Sequence, residues 1–188
     1  MKHIPIFPTL VVLVAAGIMV RLGFWQIDRL HEKEAMIASY SAAEVDRSAH
    51  PWPASGQPRG YSRVVLDCRA AGAVQAEAGR SAAGQTGWAQ VAPCVAPGGS
   101  RLRVVLGWAA QPAAPAWNGG AVTGTFVPRG RDGVVFADPP LAGLQPTARP
   151  DPRDLPNNHL AYAVQWFLFA GVALVIYGLA LRKRLGVR

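Results

Sequence analysis

The sequence predicts an α+β membrane protein: two transmembrane helices flanking a small antiparallel β sandwich or partial barrel, with that domain in the periplasm. Three observations predict it. Long charge-free apolar runs stand at both ends of the 188-residue chain. The middle changes to short β-branched segments of period two. The basic residues gather at the flanks of the apolar runs rather than along the middle.

The first run, Ile4 to Val20, is 17 residues without a charge, and it extends through Leu22–Ile27 if Arg21 is tolerated. The second, Leu160 to Leu181, is 22 residues without a charge. A span needs roughly 20 apolar residues, so residues 1–29 and 159–182 are read as the two transmembrane helices. Lys2 and the small residues Val14-Ala15-Ala16-Gly17 would also suit a cleaved signal peptide. The apolar run continues past them into Phe24 and Trp25, which favours an uncleaved helix.

Residues 28–48 mix charged and apolar residues at helical spacing and read as a helical extension of the first span. His50-Pro51-Trp52-Pro53, with Gly56, Pro58 and Gly60 behind, reads as a loop. Strands are expected at 61–69, 88–94, 101–108, 121–127 and 133–136, separated by Gly, Pro and Asn punctuation. The proline-rich stretch 137–158 reads as an extended return path. The extramembrane β-rich domain thus covers 30–158, and 183–188 form a basic tail.

The net charge is +8. Residues 1–29 hold Lys2, Arg21 and Arg29 against Asp28, and the end of the chain holds Arg182, Lys183, Arg184 and Arg188. The middle is nearly balanced, with 12 basic and 10 acidic groups over 30–158. This pattern describes membrane topology rather than a phosphate-binding surface, so no nucleic-acid partner is expected. The basic cluster after the second run stays in the cytoplasm under the positive-inside rule. Both termini are then cytoplasmic and the central domain is periplasmic.

Cys68 and Cys94 both fall in the exported segment. They suit a disulfide or two small buried thiols equally well. No Cys-x-x-Cys or Cys/His cluster supports a zinc or copper site built on cysteine pairs. The domain has no glycine-rich phosphate loop, no nucleophile elbow, and no paired carboxylates beside a histidine. His31 and His50 are isolated. No enzyme is expected.

The candidate site lies where the two helices reach the same membrane surface. On the first helix Arg21, Trp25 and Arg29 recur at i, i+4 and i+8, on one face, with Gln26 adjacent. On the second, His159, Tyr162 and Trp166 recur at i, i+3 and i+7, and Asn157 or Asn158 suits the N-cap. An interfacial aromatic belt accounts for Trp25, Tyr162 and Trp166 without any ligand. An arginine and a histidine at this depth are costly enough to raise a functional reading as well. A neutral imidazole ligates haem iron, arginines pair with propionates, and aromatic rings can flank a macrocycle. A haem with a lipid-like tail would suit a site open to the bilayer.

Leu22-Gly23-Phe24-Trp25-Gln26-Ile27-Asp28-Arg29-Leu30, followed by Lys33, resembles the N-terminal signature of the surfeit-locus-1 family. Pro156-Asn157-Asn158-His159-Leu160-Ala161-Tyr162-Ala163-Val164-Gln165-Trp166-Phe167 resembles its C-terminal signature. Tyr61–Val64 and Val104–Trp108 resemble weaker family blocks, although the family pattern has Arg-Gly-Trp where this chain has Leu106-Gly107-Trp108. The chain is also shortened between Phe126 and Asn157 relative to that pattern. The resemblance implies an assembly factor for haem-copper cytochrome c oxidase in the bacterial inner membrane. It implies haem a, transiently bound, with His159 as axial ligand of the iron and Tyr162, Trp166, Trp25, Arg21 and Arg29 around it. The implied partners are cytochrome c oxidase subunit I, a haem a synthase and membrane lipid. A haem-free scaffold for oxidase subunits is the alternative.

Overall fold

The structure is a computed structural model that describes residues 4–130 and 132–186. Lys2, Arg131 and Arg188, all used in the charge reading, lie outside the described residues, as do residues 187–188 of the expected tail. The chain divides into two compact units, one made of residues up to Met36 and from Pro156 onward, the other of Ile37–Leu155.

The first unit is a helix pair. Helix α1 runs Ile6–Val45 and helix α2 runs His159–Leu185. Both are long and apolar enough to cross a membrane. Most of their large apolar side chains are exposed, among them Ile6, Phe7, Leu10, Leu168 and Ile176. The buried positions are small: Ala16 and Gly23 on α1, Ala163 and Ala170 on α2. Each couple is spaced by seven residues, the repeat that keeps one seam of a helix against its partner. Small residues on that seam let the backbones approach. Gly23 shows why: a Cβ there would stand 2.6 Å from the Phe167 ring. Phe24 meets Phe167 edge-on at 5.3 Å between centroids. Further along, the Thr9 and Tyr177 hydroxyls are hydrogen-bonded across the pair.

α2 ends on Gly186, whose φ of 73° suits a left-handed C-cap. Lys183 and Arg184, expected at the start of the tail, stand with Arg182 in the last helical turn, where cations complement the negative helix end. α1 continues well past residue 29 to Val45, without a proline or glycine after Gly23 to break it. Beyond it Asp46 accepts the Ser48 amide at 2.9 Å, and that hydrogen bond holds the Asp46 carboxyl below its ordinary pKa.

The second unit holds the sheet. Its strands are β1 His50–Pro51, β2 Arg63–Ala70, β3 Gln75–Arg80, β4 Thr86–Val95, β5 Arg101–Ala109, β6 Gly119–Arg129 and β7 Asp132–Ala137. They are ordered β1-β2-β6-β7-β5-β4-β3. An additional β2–β4 pairing, Arg69 with Val95 and Ala70 with Cys94, brings the sheet round on itself. Of the two expected forms, the sheet is therefore barrel-like rather than a sandwich. It is also not wholly antiparallel: β5 and β7 run parallel, as do β1 and β2.

The barrel interior follows the period-two pattern. Val64, Leu66 and Cys68 of β2 point inward, as do Leu102, Val104 and Leu106 of β5, Val122 and Phe126 of β6, and Val135 of β7. Val91, Val105 and Val134 form a second cluster with Ala89 and Phe136. β5 thus buries side chains on both faces, which is why its sequence is a continuous apolar run rather than an alternating one. Leu106, where the family pattern has arginine, is completely buried. A charge there would lack water. Gly133 leaves room for the Phe126 ring, which a Cβ would approach to 1.9 Å. Trp52, from the stretch expected as a loop, is buried and packs edge-on against Phe126 at 5.5 Å.

Cys68 and Cys94 are joined as a disulfide, with Cα atoms 5.7 Å apart, next to the β2–β4 closure. For two residues 26 apart in sequence, restricting the unfolded chain contributes about 3 kcal/mol.

Strand β3 was not expected. Its sequence, Gln-Ala-Glu-Ala-Gly-Arg, lacks β-branched residues. It forms because the turn at Ser81–Gln85 returns it along β4, from Arg80–Thr86 to Gln75–Val91. The return path after β7 is extended as expected, but anchored. Gln145 exchanges backbone hydrogen bonds with Trp108, and Ala148 donates to Arg80.

Candidate functional site

His159 is the first residue of α2 and is half-buried. Asn158 occupies the N-cap, but its side chain makes no capping hydrogen bond; its carbonyl accepts the Tyr162 amide at 3.3 Å. The buried Asn157 Oδ1 has no partner among the described residues. The capping expected of these asparagines is therefore positional only. The side chain at the helix start that does reach a partner is the His159 imidazole.

His159 Nδ1 lies 2.8 Å from Gln26 Oε1 on α1. A carboxamide oxygen only accepts, so Nδ1 carries the proton and donates. In the neutral form of the ring the lone pair is then on Nε2. That is a donor atom for a soft or borderline metal. Among the described residues no group of three or more His, Cys, Asp and Glu could hold a metal ion. A single imidazole suits an iron whose other in-plane ligands come with a macrocycle. The site offers a single imidazole, which is compatible with such a group.

Other residues of the expected site are distributed differently. Trp166 is half-buried and meets Phe169 edge-on at 6.3 Å. Tyr162 is 52% exposed. On α1, Arg21 and Arg29 are exposed and Trp25 is 47% exposed. The Arg29 guanidinium lies 5.7 Å from the Trp25 ring centroid and donates to Glu32 at 2.6 Å. Among the described residues no hydrogen bond, ion pair or ring contact joins Arg21, Trp25 or Arg29 to His159, Tyr162 or Trp166. The arginine row and the histidine row are therefore not joined directly by such a contact among the described residues. Glu32 already competes for Arg29.

Gln26 is the residue that sequence reasoning placed beside the site rather than in it. Its position is set by the packed seam. It follows Gly23 by three residues and precedes Leu30 by four, so it falls on the packed seam rather than on the face of Arg21, Trp25 and Arg29.

The sheet unit has a cleft of about 350 Å3 lined by Glu44, Tyr61, Arg63, Asp138 and Arg149, among others. Three of its charges are paired with one another. Arg63 donates to Asp138 Oδ2 at 3.0 Å and to the Asp138 carbonyl at 2.7 Å, and Arg149 reaches the same carboxylate at 3.3 Å. Burial pushes the Tyr61 hydroxyl above its ordinary pKa. Among the described residues no histidine or cysteine lines this cleft.

Among models of known families, that of the SURF1 family matches, over residues 13–171. No curated protein matches the chain, and no solved structure matches it.

Proposed function

Because the chain belongs to the SURF1 family, matched from within α1 to within α2, we propose that it is a two-pass inner-membrane assembly factor that presents haem a to subunit I of cytochrome c oxidase. The family is associated with cytochrome oxidase assembly. The observation that supports a haem role for this chain is the bond between His159 Nδ1 and Gln26, which in the neutral ring leaves the lone pair on Nε2 at the start of α2.

In this reading haem a is cargo, supplied by a haem a synthase and given up to the oxidase, where its iron does the redox chemistry. His159 Nε2 is the axial ligand. Trp166 and Tyr162 flank it along the same face of α2, and Trp25 lies on α1. Arg21 and Arg29 contact propionates or the partner. The ion pair of Arg29 with Glu32 makes Arg21 the more available of the two cations. The exposed apolar faces of both helices meet lipid. Arg182, Lys183 and Arg184 support cytoplasmic termini. The Cys68–Cys94 disulfide supports an oxidising compartment, the periplasm, for the sheet domain. The protein catalyses no reaction of its own.

A second reading is a haem-free scaffold that stabilises oxidase subunits. It is favoured by the fact that His159 and Arg29 already have partners within the chain. One experiment separates the two. The full-length protein is co-expressed with haem a biosynthetic enzymes and purified in detergent. Reduced-minus-oxidised spectra are recorded for wild type and His159→Ala. The carrier reading expects haem a in wild type and its loss in the variant. Colourless protein, or equal haem in both, leaves the scaffold.

A further inference from the structure

We propose that Gln26 is the positioning residue for His159. Its carboxamide oxygen holds the imidazole as the Nδ1–H tautomer, so that Nε2 is ready as the donor atom only when α1 and α2 are packed together. This inference rests on the reading of His159 as a haem ligand, but its first test does not.

Three features carry it. The 2.8 Å contact joins residues 133 apart in sequence, so neither helix makes it alone. The neutral histidine side chain in water favours the opposite tautomer, with the proton on Nε2, so an unpartnered His159 would hold its proton on the ligating atom. An acceptor at Nδ1 removes that competition and fixes the ring plane, as the outer partners of metal-bound histidines do. Finally, Gly23 stands one turn from Gln26 on the same seam, where any Cβ would meet Phe167. The close approach of the helices that Gly23 permits is what brings the carboxamide within reach. Helix pairing and ligand readiness are therefore one event. A partner that drew α1 from α2 would return His159 to the wrong tautomer and loosen its hold on the iron.

The test uses the full-length haem-free protein in detergent, with ring-15N histidine, as wild type, Gln26→Leu, Gln26→Glu and, for assignment, His159→Ala. Leucine keeps the size of the side chain and its apolar stem without the acceptor. Wild type should show a protonated Nδ1 and a bare Nε2 at His159. Gln26→Leu should move the proton largely to Nε2. In a second step haem a is titrated into the same samples. Gln26→Leu should lose about ten- to hundredfold in affinity. Gln26→Glu, which restores an acceptor and adds charge, should recover affinity and shift the haem midpoint potential to more negative values. A wild-type His159 protonated at Nε2 overturns the proposal. So does a Gln26→Leu protein with unchanged tautomer and unchanged haem affinity, while the ligand reading stands if His159→Ala is colourless. Unchanged haem affinity in His159→Ala overturns the ligand reading itself, whatever the tautomer.

Discussion

The two units of this chain solve opposite problems with the same residue types. In the sheet unit the large apolar side chains go inside: Phe126, Leu106 and Val104 are fully buried. In the helix pair they go outside: Ile6 is 81% and Phe7 76% exposed, while the seam holds alanine and glycine. The sheet unit is held by volume, through apolar area withdrawn from water. The helix pair is held by closeness, through small residues and a few polar bonds that cross the seam. The lesson is where each unit is fragile. The barrel fails when volume is removed, and the pair fails when volume is added.

The largest effect should therefore come from emptying the barrel. Phe126→Ala removes a ring packed on Trp52 and seated over Gly133. It should cost about 3–5 kcal/mol, read as an earlier urea midpoint of Trp fluorescence in the detergent-solubilised protein. His159 should keep its 15N signature, since the helix pair is a separate unit.

The converse is to fill the seam. Gly23→Leu drives a side chain into Phe167 and should cost the helix pair about 1–3 kcal/mol. Detergent-driven loss of far-UV helical signal measures it. The same variant should scramble the His159 tautomer while leaving the urea midpoint of the sheet unit in place. A shared loss in both units would break the contrast between them.

The smallest effect appears only in alkali. Burial raises the Tyr61 pKa above the ordinary value of 10.0. The folded state then holds the hydroxyl proton more tightly than the unfolded chain. Stability from this source is complete below pH 10 and declines as pH rises from there through the folded pKa. Tyr61→Phe should flatten that alkaline decline and leave neutral-pH stability nearly unchanged, as followed by urea midpoints from pH 8 to 11.

Much of this contrast was legible in the residues. Charge-free runs announce the helices because a long apolar stretch without charges has few other forms. β2 and β5 were legible because Val and Leu alternate or run together at strand length. β3 was hidden because Gln75–Arg80 has no strand preference of its own and borrows its form from β4. The β2–β4 closure was hidden because two residue pairs between distant segments leave no local pattern. The histidine was legible as an ionisable group at a helix lip. Its partner was not, because the helical face of Arg21, Trp25 and Arg29 is easier to see in a sequence than the small-residue seam that governs packing.

The strand order also has a consequence in time. β3, β4 and β5 form a meander of neighbours, but β6 and β7 lie between β2 and β5 in the sheet. Residues 63–70 must wait for their main partner, β6, until residues 119–129 exist. During synthesis β2 is therefore left with an open edge while about fifty residues are added, a non-local pairing of the kind that folds slowly. The barrel closes only when Ala137 has emerged, shortly before the first residues of α2. The strands of the sheet domain are thus all present before α2 begins, and the helix pair is completed after it, by residues 159–185.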